Sequence, residues 1–150
     1  MSFESPHTKE KEVTLFVFPN LKTEQDEILR TALQFANEEP IVFSEKFVEQ
    51  ARKSSVVPLT DDIWSRLENT DSYDIPKGDF EMVKYHAVEG NPTSPRDWEM
   101  LKSKIEKGEQ VDAPIVCELG GKLHLVSGNT RLMVSRASGI TPSVLLVRME

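Results

Sequence analysis

Residues Pro114 to Arg148 read PIVCELGGKLHLVSGNTRLMVSRASGITPSVLLVR, and their punctuation sets out a complete supersecondary unit. Pro114 to Leu119 is an apolar run of strand length. Gly120-Gly121 is a two-residue turn that accepts positive φ at both positions, so Lys122 to Val126 is expected to return as the partner strand. Ser127 to Thr130 is a loop, Arg131 to Ser138 a short helix stopped by Gly139, and Ser143 to Val147 a last strand.

The loop carries the chemistry. A helix opens with backbone N–H groups that have no partner in the helix and with a partial positive charge. Gly128 offers no side chain to obstruct a ligand. Ser127 and Thr130 offer hydroxyls, and Arg131 a guanidinium whose fork suits phosphate oxygens. Together they describe a phosphate cradle at a helix N-terminus. It is not a Walker loop, because the Gly-Lys-Ser/Thr ending is missing. The plainer alternative is that Thr130 or Asn129 only caps the helix and Gly128 only makes the turn. Arg136 follows Arg131 by five positions and falls on another helix face, where solvent or an ion pair is expected.

Charge is uneven along the chain. The net charge is −7, and residues 1–79 hold 9 Lys/Arg against 16 Asp/Glu while residues 80–150 hold 9 of each. Leu119 to Met149 contains no acid but carries Lys122, Arg131, Arg136 and Arg148. A basic segment inside an acidic protein points to a local anion site; direct nucleic-acid binding is not expected. The start, MSFESPHTKEKE, lacks the basic and apolar parts of a signal peptide, and no apolar run nears membrane-spanning length, so a cytoplasmic protein is expected. Cys117, the single cysteine, sits in an apolar run and reads as an inert buried thiol. His7, His86 and His124 lack metal-ligand spacing, and His124, alternating with Leu123 and Leu125, is expected to face away from the core.

Upstream, Val13 to Phe18 reads as a buried strand. Thr23 can cap a helix to about Asn37, Ser44 a second, and Thr60-Asp61-Asp62 a third. Asn69 to Gly78, rich in turn formers, is the best internal boundary. It divides an acidic, mainly helical region, 1–79, from a second domain, 80–150. Phe80 to Val88 alternates as a half-buried strand. Ser94, Pro95 and Asp97 then punctuate a helix with Trp98, Leu101 and Ile105 on its apolar stripe, ending at Gly108.

The ordered set Asn91-Pro92, Pro95-Arg96, Pro114-Ile115-Val116, Gly120-Gly121, Gly128-Asn129-Thr130-Arg131, Gly139 and Val144 to Val147 resembles the ParB/sulfiredoxin-like superfamily. That resemblance implies an α+β fold, a small mixed sheet with packed helices, preceded here by the helical region. It implies a nucleoside triphosphate, with Mg²⁺, held by Gly128, Asn129, Thr130 and Arg131, and Arg96 as a further contact. Hydrolysis or transfer of phosphate would follow, with Glu89 as the carboxylate base by similarity to a free-serine kinase of the superfamily. The sequence departs from relatives at telling places. ParB proteins show Gly-Glu-Arg-Arg where Asn129 and Thr130 stand, and sulfiredoxins place a cysteine at the position of Asn129, so sulfiredoxin thiol chemistry is not expected. The later DNA-binding modules of ParB have no counterpart, so a complete partitioning factor is not expected either. A non-catalytic regulatory module is the alternative, with a degenerate pocket and a protein partner on acidic region 1–79. A nuclease is a weaker one. The family's distribution suggests a phage or mobile-element accessory protein.

Overall fold

The computed structural model describes residues 15–149. The first residues of the expected strand at Val13 lie outside that range, and its described part is β1 (Phe16–Val17). A 3₁₀ turn at Leu21–Glu24 follows, with the Asn20 side chain accepting from the Lys22 amide. Thr23 therefore lies inside the turn, and helix α1 (Gln25–Phe35) starts after it. Helix α2 (Pro40–Arg52) begins with proline at its first position, where the missing N–H costs nothing. Ser44, expected as its cap, is instead buried within it and accepts a hydrogen bond of 2.9 Å from Gln25 Nε2.

Strand β2 (Val56–Pro58) and short helix α3 (Asp61–Ser65) come next, the latter capped by Thr60 as expected. Phe80 to Val88 is a second correction: it is helix α4 (Phe80–Lys84) running into a π-turn at Tyr85–Glu89, not a strand. Asp79 caps it through the Met82 amide at 3.1 Å, and Val83 and Ala87, four apart, are both fully buried. That is the helical period, which the alternation of Phe80 and Met82 masks. Helix α5 (Trp98–Glu106) takes its cap from Asp97, which accepts from the Met100 amide, rather than from Ser94. Strands β3 (Val111–Asp112), β4 (Ile115–Leu119) and β5 (Lys122–Ser127), helix α6 (Asn129–Ser138) and β6 (Ser143–Arg148) complete the chain.

The main sheet is mixed, in the order β2-β6-β4-β5, with β6 parallel to β4 and the other two pairs antiparallel. A separate parallel pair joins β1 to β3. The hairpin turn is as expected, with Gly120 and Gly121 at φ 62° and 80°. One face of the sheet, Ile115, Cys117, Val126, Leu145 and Val147, packs on Ile28, Ala32, Phe43 and Phe47 of α1 and α2. The other, Val116, Leu123, Leu125 and Val144, packs on Leu132 of α6 and Trp64 of α3. A third cluster ties α4, α5 and α6 to β1 and β3. Each large side chain so buried contributes about 1.5–3 kcal/mol.

Strand β5 is an edge, and the chain closes it. Asn69 accepts from the Leu125 amide at 2.7 Å and donates to the Leu125 carbonyl at 2.9 Å, while the Glu68 amide donates to the Leu123 carbonyl. The segment rich in turn formers thus pairs with a strand end that would otherwise invite association.

His124 faces away from Leu123 and Leu125, as alternation demands, yet meets the other core face: it is buried and stacked on Phe35 at 3.9 Å between centroids. Burial lowers its pKa, partly offset by Glu68. Cys117 is buried as expected, and burial together with the neighbouring Glu118 pushes its thiol up to about 12. Cys117 should therefore stay unreactive towards an aromatic disulfide reagent at about pH 8 in native protein and titrate fully in denaturant. Stoichiometric reaction of the native chain would contradict this packing. No helix among the described residues is long and apolar enough to cross a membrane.

Candidate functional site

Strand β5 delivers Ser127 to the end of the sheet, and Gly128, at φ +103°, swings the chain into α6. The glycine is obligatory for two local reasons. Its φ suits no L side chain well, and a Cβ there would stand 2.5 Å from Pro114 Cβ and 2.9 Å from Pro114 Cα. Packing against the start of β4, rather than room for a ligand, thus accounts for the residue itself.

Helix α6 starts two residues earlier than expected, at Asn129, so Asn129, Thr130 and Arg131 form its first turn. No side chain caps it. The Leu132 amide opens the ladder by donating to the Gly128 carbonyl at 2.9 Å, which leaves the three preceding amides without partners in the helix. Asn129 Oδ1 accepts from Thr70 Oγ1, the end of a hydroxyl chain that runs through Ser72 to the Trp64 indole. Ser127 is more than nine-tenths buried, and its Oγ has no hydrogen-bond partner among the described residues. Such an orphan costs about 1–3 kcal/mol unless something meets it.

Residues Ser127 to Arg131 line a cavity of about 570 Å³ together with Glu24, Asp26, Glu27, Arg30, Arg96 and Asp97. Arg131 does not point freely into this space. It donates to the Asp112 carbonyl at 2.6 Å, and its guanidinium lies 3.6 Å from the Glu24 carboxylate, with both side chains mostly buried. Burial lowers its pKa, opposed first by the Glu24 and Asp112 charges, and Arg96 adds to the lowering. Arg30 is occupied by Glu27 at 2.9 Å. Arg96 is exposed and has no ion pair among the described residues, so it is the cation at this cavity that remains available.

The cavity therefore gathers Ser127, Gly128, Asn129, Thr130, Arg131 and Arg96, six of the seven residues singled out in the sequence. Glu89 is not among them: it is exposed, at the end of the π-turn, and does not line the cavity. Arg136 is also elsewhere, stacked on Tyr73 at 4.0 Å and paired with Asp61 at 3.6 Å. Glu24 was missed. In sequence it reads only as helix-start charge, and nothing local signals that folding sets it against Arg131. Among the described residues no three His, Cys, Asp or Glu side chains gather as a metal-holding group. The chain matches no protein-family model, no curated protein and no solved structure.

Proposed function

We propose that the chain binds the phosphates of a nucleotide in this cavity, in the manner of the ParB/sulfiredoxin-like proteins that its second half resembles. The supporting observation is that the uncapped first turn of α6, Ser127 before it, and Arg96, without an ion pair among the described residues, line one cavity. Backbone N–H groups and a guanidinium are the donors that a phosphate dianion needs, and each charge-assisted hydrogen bond contributes about 1.5–3 kcal/mol. The Glu24 carboxylate already neutralises Arg131, so a phosphate that engages Arg131 displaces Glu24 from it. Mg²⁺ enters as the counter-ion carried on the nucleotide, where it offsets repulsion from Glu24, Asp26 and Glu27 on the cavity wall. Glu89, outside the cavity, has no catalytic part in this proposal.

Thermal shift against the four ribonucleoside triphosphates and pyrophosphate, with and without Mg²⁺, tests the idea. Saturable stabilisation is expected. Arg96→Ala should weaken it roughly tenfold, by loss of one exposed charge-assisted contact, and Glu24→Gln should strengthen it roughly tenfold by removing the competing carboxylate. An equal ligand-induced shift in all three proteins, each measured against its own ligand-free midpoint at subsaturating ligand, would refute phosphate binding here. Release of inorganic phosphate above blank, lost in Arg96→Ala, would add turnover to binding.

A further inference from the structure

We propose a second ligand site, for an amphipathic organic anion with a medium-length apolar tail, between the outer face of α2 and the tip of the β4–β5 hairpin. A cavity of about 740 Å³ lies there, within the range of roughly 300–1,000 Å³ typical of small-molecule pockets. It is separate from the phosphate cavity and shares no lining residue with it.

Its floor is apolar and comes from four separated parts of the chain. Phe35 ends α1, Phe43 lies in α2, Leu119 ends β4, and Met149 follows β6. Behind Phe35 lies the stacked His124 ring, with centroids 3.9 Å apart. Each methylene that such a floor removes from water contributes about 0.8 kcal/mol.

The rim is cationic, in contrast to the chain as a whole. Lys46 lies in α2 and Lys53 caps its C-terminus seven residues on, and Arg148 of β6 lines the same cavity. Lys53 has no ion pair among the described residues. Lys46 and Arg148 are held only by solvent-exposed partners, Glu38 and Glu118, each at 3.0 Å. Exposed pairs of this kind are worth about 0–1 kcal/mol, so an incoming carboxylate exchanges with them at small cost. Glu49 is the lining acid without such a partner among the described residues, and it opposes an anionic head; with Glu38 it leaves the three lining cations one positive charge in excess. An apolar floor under a rim with one positive charge in excess favours a molecule with a hydrocarbon or aromatic body and one anionic head.

Amide NMR titration of the full chain with sodium decanoate, octanol and decylammonium tests the site. Decanoate should produce saturable shifts at Lys53, Leu119, Gly120 and Met149, with a Kd below about 1 mM. Octanol and decylammonium should both bind more weakly than decanoate. Lys53→Glu, an exposed change at a helix end, should weaken decanoate about fivefold while leaving amides elsewhere unmoved. Absence of saturable shifts at those four amides would overturn the proposal. So would decylammonium binding as tightly as decanoate, an unchanged Kd in Lys53→Glu, or decanoate shifts confined to Gly128–Arg131.

Discussion

Gly128→Ala is expected to lose about 4 kcal/mol of folding stability. Forcing an L residue into left-handed backbone costs roughly 1–2 kcal/mol, and φ +103° lies beyond the centre of that region. The new Cβ would also sit 2.5 Å from Pro114 Cβ and 2.9 Å from Pro114 Cα, where carbon atoms normally stand about 3.5–4.0 Å apart. Neither atom belongs to a flexible side-chain end, so β4 itself must shift, and overpacking of this kind adds about 1–3 kcal/mol. The expected readout is a Tm fall of roughly 8–16 °C, with a matching shift of the urea midpoint. A loss below about 1 kcal/mol would mean that the turn is looser than described.

The second large effect is at Arg131. Arg131→Ala removes the donor to the Asp112 carbonyl and the partner of Glu24, whose side chain is only 13% exposed. Truncating one member of a buried pair costs about 3–5 kcal/mol, because the other charge stays in place uncompensated. Some exposure and the 3.6 Å separation argue for the lower end, about 3 kcal/mol. Glu24→Gln in the Arg131→Ala background should return part of that loss, since it removes the stranded charge. A double-mutant cycle by urea denaturation should give a coupling of about 1–3 kcal/mol. Strict additivity would show that Glu24 and Arg131 act independently. Nucleotide stabilisation should vanish in Arg131→Ala even where the protein remains folded.

The parts of the fold that were legible in sequence are those fixed by local chemistry. Gly120-Gly121 permits one kind of turn, so β4, β5 and their pairing follow, and Gly128 and Gly139 bracket α6 to within two residues. Thr60 caps α3 because its hydroxyl reaches the Ile63 amide. Local patterns misled where two periods compete. Phe80 and Met82 alternate, but Val83 and Ala87 carry the burial, and the segment is helical. Strands β2 and β3, of three and two residues, are too short to show any period and exist only because β6 and β1 lie beside them.

The site divides the same way. Ser127 to Arg131 were legible as a helix start, because the loop and the helix are one continuous segment. Arg96 entered only through the resemblance, and it does line the cavity. The acidic wall was not legible. Glu24, Asp26 and Glu27 have an adequate local explanation as helix-start charges, and only long-range packing turns them towards α6. The consequence is physical: Arg131, which sequence alone presents as a free cation, is partly neutralised by its own chain.

Whether the α6 turn holds phosphate is decided most directly by amide NMR of the wild-type chain titrated with a magnesium nucleoside triphosphate. Saturable downfield movement of the Gly128, Asn129, Thr130 and Arg131 amides, with one common Kd that rises about tenfold in Arg96→Ala and rises further with salt, is the expected result. Amides at that turn that stay fixed while ligand saturates, or shifts that appear only elsewhere, would contradict it.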